Sequence, residues 1–299
     1  MAKLYPIGIQ NFEKIRREGY LYIDKTALVC RLVKTGSYYF LSRPRRFGKS
    51  LLISTLEAYF QGKKDLFCGL AMEELEKDWI KYPILHLDLN TEKYDTPESL
   101  DRILNDTLAK WEMVYGTAPS ETSIPLRFKG IVQRACEQSG QRVVILIDEY
   151  DVPLEKAWLK GYYDDMVAHI RSMFSFALKT NDALYFAVLT GCLRVSRESI
   201  FTGLNNLNII SIMDNSYAEH FGFTQEEVDT MLSFYHLESK RDSVKKWYDG
   251  YRFGDTELYN PWSIICYVDS CYKNPDALFK PYWSNTSSNS IVRTLVDRA

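Results

Sequence analysis

The stretch SRPRRFGKSLL (residues 42–52) limits what this chain can fold into more than any other. It follows directly on an apolar run, SYYFLS (residues 37–42), and opens a helical-looking segment, residues 50–60. A turn from a buried strand into a helix, ending Gly48-Lys49-Ser50, gathers backbone N–H groups, a flexible cation and a hydroxyl at the positive end of a helix dipole. Those are the parts that hold a nucleoside triphosphate with its Mg²⁺. Lys49 would reach the β- and γ-phosphates and Ser50 would face the metal. The backbone through Pro44, Arg45, Arg46, Phe47, Gly48 and on to Leu51 would cradle the phosphate oxygens. One position departs from GxxxxGK[ST]: Arg43 stands where glycine is asked for, so the first bend must be made by a non-glycine residue. Arg43, Arg45, Arg46 and Lys49 put four cations into seven residues of a chain whose 37 basic and 39 acidic residues give a net charge of −2. The same cluster could instead form a solvated basic turn or touch a nucleic-acid backbone.

Four more short apolar runs follow: PILHLDL (83–89), VVILID (143–148), LYFAVLT (184–190) and LNIISI (207–212). They are apolar on both faces and too short for core helices, which is the pattern of buried parallel strands. Residues 98–115, 126–139 and 163–180 between them read as helices. Strand–helix alternation of this kind predicts an α/β fold, a five-stranded, mainly parallel sheet covered by helices on both faces. The third run ends VVILIDEYD, with two adjacent acids where ligands bind at the carboxyl edge of an open sheet. Asp148 fits the residue that orients a Mg²⁺ shell, and Glu149 the base that polarises an attacking water. A solvated acidic turn would look the same. The order adds weight: the GKS strand, one extra strand, then the acidic strand about 100 residues on. This is the arrangement of the additional-strand, catalytic-glutamate ATPases, in which the next strand ends in a polar sensor. Here that residue is Thr190, which could equally bond backbone.

Beyond residue 214 the pattern changes. Thr224 followed by Glu227 is a capping box opening residues 223–237, residues 243–248 look helical, and WYDGYRFGDTELYNPWSIICYV is rich in aromatics and turns. We therefore expect an ATPase-type domain over 1–214 and a small, mainly helical unit over 215–299. Trp247, Tyr248, Tyr251 and Trp262 are expected to pack that small unit. The sequence stops at IVRTLVDRA without a helix cap, so the natural protein is expected to run on. Six scattered cysteines and four histidines form no metal-ligand spacing. With no apolar run of membrane length and no export signal, a cytoplasmic, membrane-free protein is the expectation.

Taken together, YIDKT (22–26), SRPRRFGKSLL, LFCGL (66–70), IDEYDVPL (147–154), LTGCLRVSRESIFTGLNNL (189–207), WYDGYRFG (247–254), YNPWSI (259–264) and YWSNTSSNSIV (282–292) resemble the predicted AAA-ATPase-like family of bacterial proteins. This family is related to archaeal-type and STAND-like ATPases. The resemblance spans nearly the whole chain, and arginine at position 43 is usual within it. It implies an ATP- and Mg²⁺-binding core, a helical or winged-helix-like lid, and commonly a C-terminal nuclease-like domain, which would begin beyond residue 299. It also puts Asp24 and Lys25 in a segment that touches the adenine or the loop, although a helix-capping role for Asp24 is as good a reading. Arg194 and Arg197, after the sensor strand, are candidates to stabilise γ-phosphate charge. The leading expectation is a Mg²⁺-dependent ATPase acting as a conformational switch. A nucleotide-binding module that does not hydrolyse, and a nucleic-acid-associated module using the arginine-rich loop, are the rivals.

Overall fold

The computed structural model describes residues 5–179, 181–192 and 207–283. Two helices, α1 (Phe12–Arg17) and α2 (Thr26–Thr35), precede β1 (Tyr38–Ser42), and α3 (Lys49–Phe60) follows it across the GKS loop. Then come α4 (Ala71–Leu75), β2 (Ile84–Asp88), α5 (Glu98–Tyr115), α6 (Ile124–Ser139), β3 (Val143–Asp148), α7 (Val152–Lys160), α8 (Tyr163–Leu178), β4 (Leu184–Gly191) and β5 (Asn208–Ile210). After β5 lie α9 (Gln225–Phe234), α10 (Arg241–Tyr248), a hairpin of β6 (Tyr251–Phe253) and β7 (Thr256–Leu258), and α11 (Pro261–Lys273).

Strands β1 to β5 form one sheet in the order β2-β3-β4-β1-β5, and every pairing is parallel. Alternation along the strands divides the core between the two faces. Phe40, Ile145, Ile147 and Leu189 pack with α5, α6 and α8, while Tyr39, Leu41, Val144, Leu146 and Val188 pack with α2 and α3. Side chains such as Phe40 and Ile145 are fully buried, each worth about 1.5–3 kcal/mol of apolar transfer. The order has a functional consequence. Placing β4 between β1 and β3 seats its last residues between the GKS loop and the paired acids.

The expected strands are all present. β5 is shorter than expected at three residues, and β4 runs one residue further to Gly191. The capping box is present: the Thr224 hydroxyl accepts from Glu227 N–H, and the Glu227 carboxylate accepts from Thr224 N–H at 2.8 Å. The described part of residues 215–299 consists of α9, α10, α11 and the β6–β7 hairpin. These elements do not by themselves establish a winged helix. Packing crosses the expected boundary near residue 215 in both directions. Tyr5, Leu21 and Ile23 join the cluster of α9 to α11, whereas Phe253 and Leu258 of the hairpin join the sheet-side cluster around Phe47.

Candidate nucleotide site

The loop between β1 and α3 turns at two left-handed positions, Arg46 (φ 68°) and Gly48 (φ 90°). Arg43 is not one of them, so the first bend needs no glycine and arginine is tolerated there. A Cβ added to Gly48 would meet no atom within 4 Å, because it would enter the open space in front of the helix. The first helical bond recorded at α3 is Leu52 N–H to the Gly48 carbonyl at 3.0 Å. The N–H groups of the first turn before it are left facing the cavity, as at any helix N-terminus. That is an anion cradle.

Lys49 is buried. Its Nζ lies 3.3 Å from Glu149 Oε1, 3.4 Å from the Pro44 carbonyl and 3.2 Å from Cys192 Sγ. Burial works against its charge, but Glu149 and, less strongly, Cys192 and Asp151 outweigh that and hold the ammonium above its ordinary pKa. Glu149 itself sits at φ 54°, a left-handed non-glycine residue of the kind that concentrates at functional sites. Thr190 joins the two acids: its hydroxyl donates to Asp148 Oδ1 and accepts the Glu149 N–H at 3.3 Å. The next residue, Gly191, has no room for a side chain, since a Cβ there would lie 2.5 Å from the Tyr150 ring and 2.8 Å from Asp151 Oδ1. Asp151 in turn accepts the Cys192 N–H at 2.7 Å, which fixes the turn after β4 against the acidic loop.

Arg46, Phe47, Gly48, Lys49, Ser50, Leu51 and Glu149 all line one cavity of about 180 Å³. Asp148 lies one residue back from that wall, buried at the end of β3. The other expected residues have different places. Pro44 contributes its carbonyl to Lys49. Arg45 pairs with Glu155 of α7 at 2.5 Å, and its carbonyl accepts from Trp283 Nε1 at 3.4 Å. Asp24 lies outside the cavity lining. Its Oδ1 accepts from the N–H and hydroxyl of Thr26 and its Oδ2 from Ala71 N–H at 2.8 Å, so it caps α2 and ties it to α4. Asp88, which ends β2 and was not singled out above, accepts Asn90 N–H at 2.8 Å and closes a turn. Arg194 and Arg197 fall outside the described residues.

Arg43 is the largest fully buried side chain among the described residues. Its Nη1 donates to the Ser42 carbonyl at 2.9 Å and the Ile210 carbonyl at 3.3 Å. Its guanidinium lies 4.9 Å from the Phe221 ring centre and 5.2 Å from that of Phe253. Burial lowers its pKa to about 10, opposed by Asp214. It therefore staples β1 and β5 to the hairpin instead of facing phosphate. Of the four clustered cations only Arg46 and Lys49 reach the cavity, and Arg46 stacks on Trp262 at 4.4 Å.

The sequence reading missed the opposite wall. Ile9, Leu21 and Ile23 of the N-terminal strap line it together with Phe223, Met231 and Trp262 of the C-terminal part, and Leu21 and Ile23 pack in one cluster with Phe223 and Met231. Lys25 ties these two segments through Glu227 at 2.5 Å. Trp262, expected to pack the small unit, is part of the cavity wall instead. Tyr251 packs its ring edge-on to Phe47 at 4.8 Å, while Tyr248 and Trp247 do remain with the helices, near Phe279. Cys192 also went unremarked as a site neighbour. Burial pushes its thiol up to about 12, against the opposing pull of the Lys49 ammonium beside it.

For Mg²⁺, the available donors are the Ser50 hydroxyl at the cavity and the Asp148 carboxylate behind it. No group of three or more His, Cys, Asp or Glu side chains among the described residues could hold a metal by itself. A sparse oxygen set suits Mg²⁺, which keeps waters and phosphate oxygens as most of its ligands.

Comparison with known proteins adds a family. An uncharacterized protein encoded in the vnfD 5′ region of Azotobacter chroococcum mcd 1 is 34% identical over 298 residues, covering 98% of this chain. The chain spans 56% of that relative's length. The solved structure of the Aeropyrum pernix ORC2 protein, in ADPNP–ADP complexes, aligns over 93% of this chain and 69% of its own at 12% identity with a TM-score of 0.45, a distant likeness. The family model described as predicted AAA-ATPase matches residues 6–201, about two-thirds of the chain and the whole run from α1 to β4, and the chain belongs to that family.

Proposed function

We propose that the protein is a Mg²⁺-dependent ATPase whose nucleotide cycle shifts the C-terminal helices against the sheet and so switches an attached or partner domain. Family membership supports nucleotide binding. The observation that carries the rest is the contact between Lys49 and Glu149 at 3.3 Å in a cavity that opens onto a helix N-terminus. A cation and a carboxylate so placed have distinct tasks once a triphosphate enters. The γ-phosphate oxygens compete for Lys49, and Glu149, released from the pair, is free to accept a proton from an attacking water. Bound Mg²⁺ would supply charge neutralisation of the β- and γ-oxygens, held from the protein side by Ser50 and, through its water shell, by Asp148. Thr190 keeps both acids in register.

The switch reading follows from who lines the cavity. Strap, loop and C-terminal helices meet there, and Arg46 on Trp262 connects the phosphate loop to α11. A ligand that binds these segments together changes their relative position by its differential affinity. The arginine-rich loop gives little support to nucleic-acid binding at this place, since Arg43 is interior, Arg45 is paired with Glu155 and Arg46 is stacked.

The test is turnover in Glu149→Gln. We expect ATP to bind as in wild type and steady-state hydrolysis to fall on the order of 10²- to 10⁴-fold. Unchanged turnover would remove Glu149 from the mechanism, and a wild type that binds without hydrolysing would leave a nucleotide-gated module in its place.

A further inference from the structure

Apart from its ionic residues, the cavity holds one buried polar side chain that the protein leaves unsatisfied. His220 ends the short turn Ala218–His220 on the path from β5 to α9 and lines the cavity wall at 7% exposure. Neither its Nδ1 nor its Nε2 has a hydrogen-bond partner. The ring is wedged between aromatic neighbours, Tyr217 at 4.9 Å and Phe221 at 6.2 Å between ring centres. Burial drives its pKa down to about 3. The Leu28 backbone, near the ring but short of a full hydrogen bond, is the strongest opposing influence, while Lys25, Arg43 and Arg31 push more weakly in the same direction as burial. The imidazole is therefore neutral at physiological pH and offers one N–H donor and one ring-nitrogen acceptor.

A buried donor and acceptor left unpaired carry a desolvation cost that packing does not repay. Such groups persist where a ligand pairs with them. Its place in the cavity says which part of the ligand this is. Its neighbour Tyr217 bonds the Thr35 hydroxyl of α2 at 2.6 Å, and its neighbour Phe221 lies under the Arg43 guanidinium at 4.9 Å. His220 thus sits on the side of the cavity next to α2. The cavity it lines also has apolar walls, including Ile23, Val29, Phe223 and Met231, which suit a flat heteroaromatic ring better than a phosphate. We propose that His220 hydrogen-bonds the purine base of the bound nucleotide and is the base-reading residue of the site. A purine edge presents a ring-nitrogen acceptor beside an exocyclic group, and a neutral imidazole can pair with either. This inference rests on the nucleotide reading above.

The experiment titrates Mg²⁺-ATP and Mg²⁺-tripolyphosphate into the full chain as wild type, His220→Ala, His220→Phe and His220→Asn, with circular dichroism confirming that each is folded. Tripolyphosphate carries the phosphates without sugar or base. We expect His220→Ala and His220→Phe to weaken ATP binding roughly 10-fold. Tripolyphosphate binding should stay at the wild-type level, and His220→Asn, which keeps a donor and an acceptor, should recover part of the ATP affinity. Unchanged ATP binding in His220→Ala and His220→Phe overturns the inference while leaving the Lys49 site standing. Equal losses for ATP and tripolyphosphate also overturn it, since the ring would then serve the phosphates or the fold. Wild type binding neither ligand would overturn the nucleotide reading and this inference with it.

Discussion

At one end of the cavity Lys49, Glu149, Asp148 and Thr190 are locked together by short polar contacts. The same cavity is also lined by Ile9, Ile23, Phe223, Met231 and Trp262, apolar residues from opposite ends of the chain. The charged end is positioned by the sheet. Strand register sets Leu41 beside Thr190 and Ile147 beside Leu189, so the loop and acids face each other however the rest of the molecule packs. The apolar end depends on three segments docking, held by contacts such as Lys25 to Glu227 and Arg46 on Trp262. A site built this way has a rigid phosphate half and a half that assembles. Nucleotide binding and conformational switching thus draw on separate residues, and substitutions can pull them apart.

The largest effect expected of such substitutions is one of stability. Arg43 opens the same loop yet packs against Ile210, Phe221 and Phe253, so Arg43→Ala should cost about 3 kcal/mol of unfolding free energy through lost packing and orphaned carbonyls. The folded fraction should bind ATP as before. Chemical denaturation checks the first point and calorimetry at low temperature the second. An affinity loss without destabilisation would assign Arg43 to the phosphate site after all. Thr190→Val keeps the shape but removes the hydroxyl that serves both acids. We expect turnover to fall roughly 10- to 100-fold, as for an unsatisfied buried partner costing about 1–3 kcal/mol, with ATP affinity nearly unchanged. Equal turnover in the two proteins would make Thr190 a bystander. Trp262→Ala is the smallest. It should weaken ATP binding about 10-fold, in line with the stacking energies of aromatic side chains on bases. Tripolyphosphate binding should not change. A parallel loss of both ligands would erase the distinction between the two halves.

The rigid half was legible in the sequence and the assembled half was not, for a physical reason. β3 and β4 announce themselves as apolar runs because both faces are buried, and GKS and DE are contiguous signals whose chemistry depends on strand ends. The Thr224–Glu227 capping box was likewise local. The strap helices α1 and α2 went unread, and so did α7, which starts with Pro153 in its first turn directly after the acids. β6 and β7 have three residues each, too few for an alternation to register. Arg43 was counted with the basic cluster of the loop because sequence shows a charge and not the direction in which it points. Its partners, Ile210, Phe221 and Phe253, lie more than 160 residues away. His220 carried no motif at all. Only its burial beside the cavity with two unpaired nitrogens distinguishes it.

The central claim, that the loop before α3 binds nucleotide phosphates through Lys49 despite Arg43, is tested most directly by calorimetric titration of Mg²⁺-ATP into wild type and Lys49→Ala. Loss of a buried charged partner worth about 1.5–3 kcal/mol predicts binding to wild type and affinity lower by roughly 10- to 100-fold in the variant. Equal binding by the two folded proteins, or none by either, would contradict it.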